Sequence, residues 1–316
     1  KAFDTVNHLH LFTKLKDLNL PSSVFRWIRH FLTDRQQAVR SAGHLSSWLL
    51  ITQSIIQGSG IGPSLYITYA DDLKSLSPRN VILKYADDTY ILVPQDSSVS
   101  LETEMVNVQN WSVKNKLKLN TRKTKEIVFR RPRARNLDFP PVIPGIERVE
   151  QIPILGVTVT NHFSVAGYVN NLISACNQRI FLISKLKSQG LVGSLAEQVF
   201  QALVMSKILY ALPAIAGLLT KSDKSRLDAF FKKASRRRIT SRSLSIDDVI
   251  TRADCALFKQ VKSPQHCLHN LLPPIRHDVV HYAGRARSRG HNYSLPFVHY
   301  DIFRNSFLIR NVYAQM

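Results

Sequence analysis

The sequence predicts an α+β fold, and three observations predict it. Two short runs rich in β-branched and aromatic residues, Val81–Leu83 and Tyr90–Val93, flank a pair of adjacent carboxylates, Asp87 and Asp88. That is the pattern of two strands joined by a tight turn. Apolar residues recur at helical spacing on either side of it, at Leu9, Phe12, Leu15 and Leu18, and again at Leu101, Met105, Val108 and Trp111. From Gly167 to about Arg238 the pattern is helical, with breaks at Gly190 and Pro213. Strands mixed with helices, followed by a run of helices, indicate an α+β layer next to a helical bundle.

In chain order, His8 to Leu18 is expected to be a helix. Pro21-Ser22-Ser23 restarts a second, with Val24, Trp27, Ile28 and Phe31 on one face. Ala38–Arg40 and Ser47–Thr52 read as two strands around a turn at Gly43. A glycine-rich loop, Gly58 to Pro63, leads into a helix from about Ser64 to Leu76, and the Asp87–Asp88 hairpin follows. Ser100 to Leu117 is an amphipathic helix and Lys125–Phe129 a strand. A basic, proline-containing turn comes next, with Arg130, Arg131, Arg133 and Arg135. Val142–Val149 and Pro153–Val159 are expected to form a hairpin. Residues 241–316 are rich in Arg and His and of uncertain order.

With 316 residues and 44% hydrophobic content, the chain can bury a sizeable core and lacks the composition of a disordered protein. Its formal net charge of +21 suits a polyanionic partner, nucleic acid before a membrane surface or a ribosome-like assembly. Three widely spaced cysteines, Cys176, Cys255 and Cys267, argue against a disulfide framework and for a reducing compartment. Cys255, His266, Cys267 and His269 do not have the spacing of a compact zinc finger, so buried thiols and surface histidines are expected there. No signal peptide is visible at Lys1, and the first residue is not Met, so a piece of a longer chain is expected. The most apolar stretch, Leu203 to Leu219, is interrupted by Lys207 and Pro213 and reads as a broken buried helix, with no membrane partner.

Two adjacent carboxylates at a hairpin tip repel each other and call for a counter-charge. Mg²⁺, which takes one or two carboxylates plus phosphate oxygens, is the obvious one; an ordinary solvated Asp-Asp turn is the plain alternative. The neighbours favour the metal. Tyr85-Ala86-Asp87-Asp88 between apolar runs resembles the metal-binding hairpin of reverse transcriptases. Gln57-Gly58-Ser59-Gly60-Ile61-Gly62-Pro63 resembles their Gln-Gly-Ser…Gly-Pro block in its non-LTR, LINE-like retrotransposon form. Lys1-Ala2-Phe3-Asp4, Leu117–Asn120 with Lys123-Thr124, and Ile154-Leu155-Gly156-Val157 are similar to three further blocks in the same order. The resemblance covers about residues 1–240. Leu271–Arg276 and His291–Pro296 look like the C-terminal end of CR1-like elements.

What the resemblance implies is a right-hand polymerase. Its palm, residues 1–160 with a primer-grip hairpin, would be an antiparallel sheet covered by helices. Residues 161–240 would be a helical thumb and 241–316 a basic C-terminal region, with the fingers missing. The implied activity is RNA-directed DNA synthesis from dNTPs on an RNA template and DNA primer, with two Mg²⁺ ions or Mn²⁺ in their place. The implied setting is an intracellular, nuclear or cytoplasmic ribonucleoprotein; protein partners are not specified. Asp87 and Asp88 would be metal ligands and catalytic. Phe3 would pack against the nucleotide sugar and exclude a 2′-hydroxyl. Gln57, Gly58, Ser59 and Lys123 would meet the nucleotide or its pyrophosphate. Tyr85, Ala86, Leu155 and Gly156 would lie beside the primer. Arg130, Arg131 and Arg133, and Lys232, Lys233, Arg236, Arg237 and Arg238, would contact phosphates, the second group being open also to a nuclear-address reading. The family pattern Asp-x-x-Lys-Ala-Phe-Asp puts its first metal ligand three residues ahead of Lys1. Asp4 is then expected to be a cap or turn residue, and this chain inactive by itself. The second Tyr-Ala-Asp-Asp, Tyr69–Asp72, is expected to end a helix. Rival readings are a non-catalytic nucleic-acid-binding remnant, a domesticated protein-interaction module, and another right-hand polymerase such as an intron maturase.

Overall fold

The computed structural model describes residues 2–131, 139–275 and 292–314. The chain divides into two compact units, residues 1–124 with 142–146, and residues 125–141 with 147–316.

In the first unit, helix α1 (His8–Lys16) begins at Asn7, whose side chain accepts the amide of His10 at 3.1 Å. Asn7 therefore does the capping, which leaves Asp4 the turn role of the two expected of it. Residues Phe3–Thr5 form a 3₁₀ turn, and the Asp4 carboxylate instead accepts from Gln57 Nε2 at 2.7 Å. Helix α2 (Ser22–Leu32) buries Ile28 and Leu32 against Leu11 and Leu15 of α1 and Leu65, Tyr66 and Tyr69 of α3 (Gly62–Ala70). The strands expected between α2 and α3 form one hairpin in two short ladders: β1 (Gln36–Gln37) with β4 (Leu49–Leu50), and β2 (Arg40–Ser41) with β3 (His44–Leu45). Its turn, Ala42–Gly43, has φ of +47° and +84°, the two left-handed residues that a two-residue hairpin turn needs.

Helix α3 ends at Ala70, short of the expected Leu76. The Lys14 ammonium takes the carbonyl of Tyr69, and that of Lys84 takes those of Ala70 and Leu73, so cations satisfy the end of the helix. Strands β5 (Val81–Tyr85) and β6 (Asp88–Leu92) form the predicted hairpin. Helix α4 (Leu101–Lys114) starts at Ser100, whose Oγ accepts from Thr103 N at 3.2 Å. Ile91 of β6 packs with Leu101 and Met105 of α4 and with Ile143 and Ile146. The fully buried Glu104 carboxylate accepts from Leu76 N and Asn80 Nδ2, both at 2.9 Å, and so ties the loop before β5 to α4.

In the second unit, β7 (Lys125–Glu126) pairs in parallel with β8 (Glu147–Arg148), and Arg148 donates two bonds to Glu126 at 2.9 Å. Val142–Val149 is therefore not the arm of a hairpin. The hairpin is β9 (Gln151–Ile154) with β10 (Val157–Thr160), because Leu155 and Gly156 supply the two positive-φ turn residues, +46° and +84°. Helix α5 (Ala166–Ser188) packs on α6 (Gly193–Phe200) and α9 (Lys221–Arg236). Between α6 and α9 the chain runs through a π-helical turn, Gln201–Met205, then α7 (Ser206–Leu209) and α8 (Leu212–Ile215). The break expected near Pro213 comes two residues earlier, at Ala211, φ +54°. Residues 241–316 include a substantial helix, α10 (Ile246–Val261), whose Asp254 pairs with Arg310 of α12 (Phe307–Ala314); α11 (Asp301–Arg304) precedes it. Among the described residues no single helix is long and apolar enough to cross a membrane.

One continuous antiparallel sheet is not formed among the described residues. There are five two-stranded ladders, one of them parallel. Every strand is two to five residues long, and the β5–β6 hairpin packs through Ile91 onto a helix, leaving Val81, Leu83, Tyr85 and Leu92 exposed. The thiols expected to be buried, Cys255 and Cys267, are exposed; Cys176 is buried.

Candidate active site

The β5–β6 register pairs Tyr85 with Asp88, so Ala86 and Asp87 are the two turn residues. Ala86 sits at φ +51°, a left-handed conformation that costs a residue with a Cβ about 1 kcal/mol. Asp87 and Asp88 are both exposed, and among the described residues neither is in an ion pair. The root of the hairpin is held by Lys84, whose Nζ donates to Ala70 O at 2.6 Å and Leu73 O at 3.1 Å. Burial pulls the Lys84 pKa down, Lys74 adds to the fall, and Asp71 and Asp72 oppose it.

Next to the tip is an aromatic pair. Tyr66 is buried, and its ring stacks on Phe3 with centroids 4.5 Å and planes 20° apart. Burial, and then the charge of Asp87, push the Tyr66 phenol up to about 12. Phe3 and Tyr66, from either side of the glycine-rich loop, are thus in stacking contact, and the Tyr66 phenol feels the charge of Asp87. Gln57, with Asp4, His8 and Arg35, lines a cleft of about 390 Å³ floored by Leu32, Ile51 and Ile56. Gly58 needs its missing Cβ for a φ of +83°; Ser59 spends its hydroxyl proton on Ile56 O at 2.7 Å. A cleft with an amide, a carboxylate and a cation on its walls can hold a polar ligand.

The second Tyr-Ala-Asp-Asp does end a helix. Tyr69 is fully buried with its hydroxyl on Asn115 O at 2.5 Å. Asp72 accepts from Lys14 Nζ at 2.7 Å and Trp111 Nε1 at 2.8 Å. Burial raises its pKa, but the two hydrogen bonds and the Lys14 charge outweigh that, and the net shift is downward.

Other predicted residues lie elsewhere. Lys123 is exposed in a turn closed by Asn120. Leu155, Gly156, Arg130, Arg131 and the group Lys232, Lys233, Arg236, Arg237 and Arg238 belong to the second unit. There Tyr210 donates its hydroxyl to Leu155 O at 2.6 Å and fixes the hairpin turn. The Arg130 guanidinium lies over Phe139 and that of Arg131 over Tyr300, at 5.5 and 4.3 Å. Lys232, Arg236, Arg237 and Arg238 are exposed, and Lys233 donates to Asn177 at 2.8 Å. Arg133 lies outside the described residues. Sequence reasoning missed Tyr66, Lys84 and Tyr210. Tyr66 and Lys84 adjoin the two motif blocks and could have been flagged; Tyr210 carries no local signal.

As a donor set, Asp87 and Asp88 fit a hard divalent ion: two exposed carboxylates without a cationic partner, where Mg²⁺ accepts one or two carboxylates and completes its shell with water and phosphate. No group of three or more His, Cys, Asp or Glu residues poised around a metal occurs among the described residues.

Residues 1–159 match the family model described as reverse transcriptase (RNA-dependent DNA polymerase). The chain is 26% identical over 253 residues to the RNA-directed DNA polymerase from mobile element jockey of Drosophila melanogaster, covering 75% of this chain and 27% of that protein. It is 25% identical over 253 residues to the probable RNA-directed DNA polymerase from transposon BS, again 75% of this chain and 28% of that one. With the probable RNA-directed DNA polymerase from transposon X-element it shares 22% over 310 residues, 91% of this chain and 33% of that one. The last two are also from Drosophila melanogaster, and the chain spans between a quarter and a third of the length of these curated relatives. Members of the matched family generally use divalent metal ions. The ordered motifs, the hairpin with its exposed carboxylates and the match over residues 1–159 agree: the chain belongs to the reverse transcriptase family, in its non-LTR retrotransposon branch.

Proposed function

We propose that this chain carries the nucleotide-adding part of an RNA-directed DNA polymerase, extending a DNA primer with dNTPs on an RNA template. The observation that carries the reading is the stack of Phe3 on Tyr66, whose phenol feels the charge of Asp87 at the hairpin tip. In it, residues 1–160 act as palm, 161–240 as thumb, and 241–316 as a basic extension. Asp87 and Asp88 would hold Mg²⁺, or Mn²⁺ in its place. When bound, the ion supplies charge neutralisation on the reacting phosphates. The chain's own residues do the positioning. Phe3, braced by the Tyr66 ring, presents a flat wall to the nucleotide sugar and leaves no room for a 2′-hydroxyl. Tyr66 stays a neutral phenol near pH 7, so it adds no charge beside Asp87. Lys84 seats the hairpin on the end of α3, which fixes where the two carboxylates are presented. Gln57 is pre-oriented by Asp4 at the cleft. Leu155 and Gly156, held by Tyr210, steady the primer. Arg130, Arg131 and Arg133, and the Lys232–Arg238 group, neutralise phosphates, so binding falls steeply with salt.

The test is primer extension on an RNA template with dNTPs and Mg²⁺. It is run on this chain and on one extended at its N-terminus by a strand with Asp three residues ahead of Lys1. Extension by the longer protein is expected, abolished by Asp87→Ala and by Asp88→Ala and retained by Asp71→Ala. Extension that survives Asp87→Ala would overturn the reading. So would a longer protein that binds template–primer and never extends it.

A further inference from the structure

Helix α2 shows solvent a face that the polymerase reading does not use. Trp27 is 55% exposed, and its ring stacks on Phe31 with centroids 5.8 Å and planes 16° apart. Phe31 in turn carries the Arg35 guanidinium 5.3 Å from its ring centroid. Arg35 is held there by a bond from its Nε to Phe31 O at 2.9 Å. The three residues are spaced i, i+4, i+8, so they line one side of the helix and its exit. The adjoining side, about 100° round the helix, is spent on the core through Ile28 and Leu32, and Phe31 packs partly against that core. Exposed Arg26, Arg29 and His30 flank the stripe, and the helix contains no acidic residue. Among the described residues neither Arg26 nor Arg29 forms an ion pair. The stripe ends at Arg35, which lines the same cleft as Gln57 and Asp4.

A lone exposed tryptophan would call for no explanation. Here a half-exposed indole stacks on a second ring that carries a guanidinium, and Arg26 and Arg29 of the same helix form no ion pair among the described residues. A flat π-face next to phosphate-seeking charge is the arrangement that binds unpaired nucleotides, because every base offers a π-face and every linkage a negative charge. From Trp27 to Phe31 the helix rises about 6 Å, the span of about two nucleotides at roughly 3.4 Å each. A protein interface would also favour Trp and Arg, but a helix whose exposed charges are all positive, with no carboxylate, selects a polyanion. A membrane-surface helix would keep its main apolar face free, and here the core has used it.

We propose that Trp27, Phe31 and Arg35 form a stacking platform for the unpaired template strand at the mouth of the Gln57 cleft. This rests on the polymerase reading and deepens it by naming a surface and its ligand, a single-stranded polynucleotide bound without regard to base sequence.

The test measures binding of the whole chain to a labelled single-stranded oligoribonucleotide and to a blunt duplex of equal length, over a salt series. Trp27→Ala should weaken single-strand binding about 10-fold, leave the duplex unchanged and keep the salt slope, since stacking carries no counterion release. Trp27→Phe should restore most of the loss. Arg29→Ala should lower the salt slope by about one. Circular dichroism and the urea midpoint show that each variant is folded. Wild-type affinity in Trp27→Ala, or equal losses on single strand and duplex, would overturn the platform while leaving the polymerase reading in place. So would a Trp27→Ala effect seen only on anionic vesicles or on self-association. A wild-type chain that binds neither nucleic acid at low salt would overturn both.

Discussion

Two copies of Tyr-Ala-Asp-Asp lie sixteen residues apart, and the structure gives them opposite roles that a substitution series can separate. Asp72→Ala removes the acceptor of two bonds, from Lys14 at 2.7 Å and from Trp111 at 2.8 Å. The ion pair is half in water, with side-chain exposures of 18% for Lys14 and 46% for Asp72, so it contributes about 0.5 kcal/mol. The indole bond to a charged acceptor adds about 1 kcal/mol after the same discount for exposure. Leaving the mostly buried Lys14 ammonium with the Tyr69 carbonyl in place of a counter-charge brings the total to about 2 kcal/mol. Asp87→Ala and Asp88→Ala touch exposed groups without ion pairs among the described residues, so each should change stability by less than about 0.5 kcal/mol. The assay is urea unfolding followed by tryptophan fluorescence. All three tryptophans, Trp27, Trp48 and Trp111, lie in the first unit, so the signal reports that unit alone. With a slope of about 2 kcal/mol per molar urea, Asp72→Ala should lower the midpoint by about 1 M. Asp72→Asn keeps a neutral acceptor and should lower it by about half as much. The Asp72 pKa lies below its ordinary 3.8 in the fold, so its stabilisation is complete above that value and is lost as pH falls through the lower, folded one. The gap between wild type and Asp72→Asn should therefore close below about pH 4. A midpoint unchanged by Asp72→Ala, or lowered equally by Asp87→Ala, would refute the assignment.

Two further outcomes follow from the packing. Tyr66 titrates at about 12 against an ordinary 10.0, so its neutral form stabilises the fold fully below pH 10 and that stabilisation is lost as pH rises toward 12. Tyr66→Phe should flatten the alkaline limb of the first unit's stability curve, and Asp87→Asn should lower the midpoint of the phenolate absorbance change. In the second unit, a Cβ on Gly217 would fall inside the Asn305 carbonyl oxygen and 2.7 Å from its carbonyl carbon, both backbone atoms that cannot swing aside. Gly217→Ala should cost about 3 kcal/mol and raise amide hydrogen exchange across residues 301–314; native-like protection there would show that the contact yields.

What the sequence made legible was local. The β5–β6 hairpin could be read because two short runs of β-branched and aromatic residues bracket a tight turn. Helix α4 could be read because Ser100 caps an amphipathic face. The end of α3 could not, since it depends on Lys14 and Lys84, each more than ten residues away in sequence. Val142–Val149 looked like a hairpin arm because its composition is strand-like, and composition does not say whether a ladder partner lies ahead of it or behind. Helix α10 was obscured by its Arg- and His-rich surroundings, and the bond that locks it joins Asp254 to Arg310, 56 residues apart. The site divides in the same way: Asp87, Asp88, Phe3 and Gln57 stand in ordered blocks, whereas Tyr210 reaches Leu155 only through the fold.

The duplicated tetrapeptide shows why identical residues need not share chemistry. At Tyr69–Asp72 the preceding chain is a helix, so its carbonyl end collects Lys14 and Lys84, and Lys14 together with Trp111 turns Asp72 into an anchor while Asp71 stays exposed. At Tyr85–Asp88 the preceding chain is a strand, whose carbonyls face sideways, and among the described residues neither Asp87 nor Asp88 is in an ion pair. Lys84 connects the two sites. It lies one residue before the second copy and spends its charge on the helix end that carries the first. The lysine that immediately precedes the second copy in sequence is thereby withheld from its aspartate pair and holds the hairpin to the helix end instead.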